Sequence, residues 1–141
     1  MARYFTLKEL TRTSRKIDNT PTFEVVHHLE ELVEKLLDPL RYAYGKPIKV
    51  NSGYRCPALN KAVGGVTTSA HLQGYAADLD DLNGDTEALI KFAKTWVILN
   101  RVSFDQLIRE TSADGQTVWL HFGLYGPGGC QRGQILNLVK K

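Results

Sequence analysis

Two imidazoles and one carboxylate are the side chains of this sequence best suited to chemistry. His71 and Asp78 stand seven positions apart in SAHLQGYAAD (69–78), and His121 stands in WLHFGL (119–124). Taken singly, each is at home as a packing residue, and SAHLQGYAAD alone reads equally well as a turn entering a buried strand. As a set they form the N/N/O shell of a catalytic zinc, in which three protein ligands leave one position for water. Imidazole suits zinc, and the lack of cysteine in the trio argues against a closed structural site. Gly74, Ala76 and Ala77 let the backbone fold tightly enough for His71 and Asp78 to reach one ion.

His121 must be presented by a strand. Val118, Leu120, Phe122 and Leu124 share an apolar face, whereas Thr117, Trp119, His121 and Gly123 share the other. Asp114-Gly115 is a hairpin signal between this strand and FDQLIRE (104–110). A two-residue turn there pairs Ala113 with Gln116, Glu110 with Trp119 and Ile108 with His121. Glu110 and Gln106 then become diagonal neighbours of His121 on its own face, with Cα atoms about 7–8 Å away. A loop one residue longer reverses the pairing of faces.

The remaining elements follow from periodicity. A short helical arm is expected within 4–18, starting near Thr6, followed by the loop Asp18-Asn19-Thr20-Pro21. Thr20 is the expected cap of the next helix, with Pro21 in its first turn. Val25, Val26, Leu29, Leu32, Val33, Leu36, Leu37 and Leu40 recur at helical spacing, and Asp38-Pro39 is where that helix kinks or ends. PIKVNSGYR (47–55) reads as a strand running into Gly53, 57–63 as a short helix closed by Gly64-Gly65, and 75–79 as a short strand. A second long helix spans 85–100 with Asp85 or Thr86 near its cap, and 134–139 adds an edge strand. The expected fold class is α+β: one domain over 1–141, an antiparallel sheet with a C-terminal hairpin, packed against two main helices.

Composition narrows the function. A chain of 141 residues, 43% hydrophobic and 23% charged, builds its own core, so a metal serves chemistry rather than folding. The net charge of +3, to which Arg3, Lys140 and Lys141 contribute, shows no dense basic run with interleaved aromatics. Nucleic acid is therefore not an expected partner. Cys56 and Cys130 lack CxxC spacing and are expected as free thiols. No apolar leader or run of transmembrane length occurs, so cytoplasmic synthesis without membrane insertion is expected. His27 and His28, beside Glu30, Glu31 and Glu34, read as helix-surface or packing residues.

SGYRCP (52–57), LNKAVGG (59–65), SAHLQGYAAD and WLHFGL occur in order, and together they resemble the D-alanyl-D-alanine carboxypeptidase-like zinc peptidases. That family shares its fold with the Hedgehog signalling domain. The opening YFTLKEL and DNTP segments are similar to its small phage and prophage members. The resemblance implies one Zn2+ held by His71, Asp78 and His121, with Arg55 binding or polarising the substrate through forked donors. Ser69 then bonds the substrate or fixes the ligand loop, and as a plain alternative it caps a turn.

One departure matters. Several members carry an acid three positions before the last histidine ligand as general base, and here that position is Val118, on the apolar face. Glu110 is the best replacement, set against a solvated residue at a hairpin end. Asp80, Asp81 and Asp105 are weaker candidates. Trp119, Tyr54 and Gln106 are candidate cleft residues, although aromatic walls are as often core.

The expected function is hydrolysis of amide bonds in bacterial peptidoglycan peptides by a monomeric zinc metallopeptidase. It would be a phage endolysin released to the wall or a virion-associated wall hydrolase. The alternative is a non-catalytic zinc-containing wall-binding or virion module on the same fold.

Overall fold

The computed structural model describes residues 3–140, so Lys141, counted above among the basic residues, lies outside it. Helix α1 (Leu7–Thr11) opens with a capping box, in which Thr6 accepts from Glu9 N at 3.1 Å and Glu9 reaches back to Thr6 N at 3.1 Å. It occupies only the middle of the expected arm. Helix α2 (Phe23–Leu32) is capped by Thr22 rather than Thr20. Both the Thr20 hydroxyl and its N–H are already committed to Asp18 Oδ1, at 2.6 and 3.0 Å, which fixes a turn before the helix can start.

At Asp38-Pro39 the helix neither ends nor breaks. A π-turn (Val33–Leu37) leads into α3 (Asp38–Tyr44), and Asp38 N bonds Val33 O. The widened turn makes room for a proline ring that an ordinary α-turn would drive into a carbonyl. Gly45, at φ 74°, ends α3 in the left-handed region.

Strand β1 (Ile48–Ser52), helix α4 (Pro57–Ala62), strand β2 (Ala76–Asp81), helix α5 (Thr86–Leu99, capped by Asp85), and strands β3 (Gln106–Thr111), β4 (Val118–Gly123) and β5 (Gln134–Val139) complete the chain. The sheet order is β1-β2-β4-β3-β5. Four strands pair antiparallel, and β5 adds to β3 in parallel, which makes the sheet mixed. The segment 124–133 carries the chain back along the sheet, so β5 runs alongside β3 instead of hairpinning from β4.

The hairpin register is the expected one: Glu110 faces Trp119 and Ile108 faces His121. The loop, however, is four residues long. Ser112 N bonds Thr117 O at 2.9 Å, and Gly115 N closes a turn onto Ser112 O at 2.9 Å. Asp114 lacks the positive φ that a two-residue type I′ turn demands, and Gly115 alone has it. Lengthening the loop by one residue on each side leaves the register unchanged.

Alternation then divides the sheet. Leu79, Leu107, Leu120 and Phe122 are fully buried against Leu29, Leu36, Leu37 and Leu40 of the first helical run and Leu89, Ile90, Ala93 and Val97 of α5. Asp78, Ile108, Glu110 and His121 occupy the other face, which the segment between β1 and β2 partly covers. No helix among the described residues is long and apolar enough to cross a membrane.

Candidate active site

Asp78 on β2 and His121 on β4 are direct cross-strand partners, so their side chains rise together from the same face of the sheet. His71 arrives from a 3-10 turn (Ala70–Gln73) that Ser69 caps by accepting from His71 N at 3.2 Å. Gly74 ends the turn at φ 79°, and a Cβ there would lie 3.1 Å from Val25 Cγ1. The loop is thus pressed onto α2. His28 holds it from the helix side, its Nδ1 2.6 Å from Gln73 O and its ring stacked on Tyr75 at 4.2 Å. The sequence marks His28 as a helix-surface or packing residue; its hold on the turn that carries His71 has no signal there.

The three side chains converge. Asp78 Oδ1 lies 3.2 Å from His71 Nε2 and 3.1 Å from His121 Nδ1. One ligand atom from each residue falls within 4.8 Å of the others, a spread that admits a single metal ion. His71 Nδ1 sits 2.7 Å from Gly53 O, an acceptor only, so the proton resides on Nδ1 and Nε2 keeps its lone pair for a metal. Burial disfavours the charged form of His71 and pulls its pKa down, outweighing Asp78 beside it. For Asp78 burial works the other way, yet the charges and hydrogen bonds of His71 and His121 hold its carboxyl well below the carboxylate range. A metal ion would displace any proton held between His71 Nε2 and Asp78, leaving His71 neutral, the form its burial favours, and Asp78 ionised, the direction of its own shift. Those are the forms a metal requires. The donor set fits one zinc ion.

Glu110 reaches the same place, with Oε1 3.7 Å from His121 Nδ1. Of the weaker acidic candidates, Asp105 is 1% exposed and bound by Arg132 at 2.8 and 2.7 Å. Asp81 is engaged by the Tyr44 hydroxyl and by the N–H groups of Asn83 and Asp85, and Asp80 takes the Thr86 hydroxyl at 3.3 Å. Neither lines the cavity over the His71–Asp78–His121 cluster, which measures about 480 Å³. That volume is in the range of small-molecule sites.

Arg55, Ser69, Gln106, Trp119 and Glu110 all border this cavity. Arg55 is 9% exposed, and its Nη2 donates to Ser69 Oγ at 3.3 Å. Among the described residues its Nε has no hydrogen-bond partner, an expensive state for a buried donor unless a ligand completes it. Tyr54 does not join the set: it is 6% exposed within the core, away from the cavity. The tight seating of Gly53 turns it inward. A Cβ on Gly53 would lie 2.2 Å from Leu10 O, the acceptor of Tyr54 N.

Several contributors escaped sequence reasoning. Arg132, Lys140 and Leu138 line the cavity because β5 pairs with β3 in parallel. Asn19 brackets Arg55, donating to Thr11 O at 2.9 Å and Tyr54 O at 2.8 Å and accepting from Cys56 N at 2.7 Å. The only available signal was a polar residue in the DNTP segment. Cys56 and Cys130 are free, and Cys56 Sγ caps α4 by accepting from Leu59 N at 3.4 Å.

Residues 3–110 match the family model of Peptidase M15. The chain belongs to peptidase family M15. The match includes His71, Asp78 and Glu110 and stops short of His121, whose place in the cluster rests on the β2–β4 register. A 44-residue stretch is 50% identical to the zinc D-Ala-D-Ala carboxypeptidase of Streptomyces albus G. That stretch is 30% of this chain and 17% of that relative, so the likeness is local.

Proposed function

We propose that this M15 chain is a zinc-dependent peptidase that hydrolyses amide bonds in bacterial peptidoglycan peptides. The observation that carries it is Asp78 Oδ1 set between His71 Nε2 and His121 Nδ1, with Glu110 Oε1 3.7 Å from the latter, in a cavity bordered by Arg55. The D-Ala-D-Ala carboxypeptidase activity named for the Streptomyces relative supports the substrate class.

His71, Asp78 and His121 would hold the ion. Zinc bound there supplies Lewis-acid polarisation of the scissile carbonyl and acidifies water at neutral pH. Glu110 accepts one proton from the attacking water as its oxygen bonds the carbonyl carbon. Glu110 then delivers that proton to the amide nitrogen as the C–N bond breaks, leaving an amine and a carboxylic acid, which loses water's second proton to solvent at neutral pH. Arg55, with Nε lacking a partner among the described residues and Nη2 on Ser69, orients the substrate through a carboxylate or carbonyl oxygen. Trp119 and Gln106 form the wall beside it.

Glu110 answers the departure at Val118. Its carboxylate reaches the cluster from the neighbouring strand, and that position favours the hydrolase over a non-catalytic wall-binding module. Glu110→Gln should keep stoichiometric zinc and lower kcat on muropeptides by about 10²–10⁴-fold, the usual share of a general base. Unchanged kcat would remove Glu110 from this role. The likeness of the opening segments to phage and prophage members suggests an endolysin or virion-associated wall hydrolase. Isolated cell walls that stay turbid in its presence would count against that setting.

A further inference from the structure

The two edges of the sheet differ. At the β1 edge Arg12 Nη2 donates to Val50 O at 3.3 Å, and just past the strand Leu10 O accepts from Tyr54 N at 2.7 Å. The exposed Lys49 stands in mid-strand. A covering segment and a lysine are common guards against strand addition. The β5 edge has neither. Gln134–Val139 reads QILNLV, without charge or proline, and among the described residues nothing pairs with its outer side. Ile135, Leu138 and Val139 are 38%, 47% and 64% exposed. An apolar edge of this kind accepts another strand.

The backbone of β5 shows which groups are free. Gln134 N donates to Asp105 O at 2.9 Å and Lys140 N to Thr111 O at 2.8 Å, so the even-numbered residues turn their peptide groups toward β3. Alternation then directs the N–H and C=O of Ile135, Asn137 and Val139 outward. A second β5, antiparallel and centred on Asn137, fits this edge. It sets Ile135 opposite the partner's Val139, Leu136 opposite the partner's Leu138 and Gln134 opposite the partner's Lys140. Apolar meets apolar, no like charges oppose, and the outward residues exchange both backbone bonds with their counterparts. Centring on Leu136 instead sets Arg132 opposite the partner's Lys140, which is repulsive. Centring on Leu138 sets Leu136 opposite the partner's Lys140 and shortens the overlap. The strand complements itself in one register.

We propose that this protein forms a two-fold homodimer through β5, centred on Asn137, which joins two five-stranded sheets into one. Such an isologous contact closes at two copies, and the guarded β1 edge stops further growth. The dimer stands in place of the monomer expected from the sequence, and it does not depend on the peptidase reading. Antiparallel neighbours in one sheet share their faces, so both His71–Asp78–His121 clusters open to the same side.

Sedimentation equilibrium of the full chain from about 1 µM to 1 mM tests this, because one strand pair lies at the small end of specific interfaces. The mass should rise toward twice that of one copy. A mass that stays at one copy, or grows past two, overturns the proposal. Asn137→Pro removes only an outward N–H and leaves the β3 ladder intact. It should hold the chain monomeric with Tm changed by less than about 5 °C. A folded Asn137→Pro that still dimerises overturns the β5 contact. Ile135→Lys and Val139→Glu should each weaken the dimer at least about tenfold, and combining them should recover most of that loss, because the two positions face each other across the axis. A double variant as weak as the single ones overturns the register, and this pair decides alone if Asn137→Pro fails to fold.

Discussion

Asp78 is the residue on which the site turns. One carboxylate oxygen stands between two imidazoles at 3.2 and 3.1 Å, and its pKa is held down despite burial. Removing that charge while keeping the shape isolates its contribution. Asp78→Asn should fold and weaken zinc binding by more than about 100-fold, beyond the 10–100-fold usual for groups that only support a ligand. Metal content after dialysis against a weak chelator checks this, and full zinc retention would contradict it. His71, Asp78 and His121 were legible in the sequence because each is polar at a place where the chain is otherwise small or apolar. Tyr54 was not. Its burial follows from the contact of Gly53 with Leu10 O, made between residues far apart in the chain.

His71, Asp78 and His121 owe their convergence to three elements of different kinds. Strands β2 and β4 set Asp78 opposite His121, a relation that neither strand reveals alone. The 3-10 turn brings His71 in from outside the sheet, and its position depends on α2 through His28 and through the close approach of Gly74 to Val25. Gly74→Ala places a side chain at φ 79° and 3.1 Å from Val25. It should cost about 1–2 kcal/mol for the left-handed conformation alone. A lower Tm should accompany a weaker zinc affinity, because the turn shifts as a unit. A stability loss with unchanged affinity would show the turn to be independent of α2. The hairpin register was readable from alternation plus a turn signal. The true four-residue loop was not, because both lengths give the same pairing. Thr22 replaced Thr20 as cap because Asp18 competes locally for the Thr20 hydroxyl, a contest that propensity alone does not weigh.

At the scale of the molecule, the sheet separates two tasks. One face, with Leu79, Leu107, Leu120 and Phe122, meets the helices and supplies the core. The other is left free for polar side chains, which a buried core would not tolerate unpaired. The α+β class and the helical stripes were legible because apolar periodicity reports directly on that division. The parallel return of β5 was not, since it depends on the path of 124–133 and on Arg132 closing onto Asp105. That return brings Arg132, Leu138 and Lys140 to the rim of the cavity and widens it beyond the ligand cluster. As proposed above, this whole arrangement hydrolyses wall peptides with the aid of one zinc ion. Mass spectrometry of purified peptidoglycan digested by the zinc-loaded protein tests it most directly, with a chelated arm and a zinc-restored arm alongside. Paired new amino and carboxyl termini should appear, vanish on chelation and return with zinc. The absence of new termini in the zinc-loaded arm, or their persistence under chelation, would contradict it.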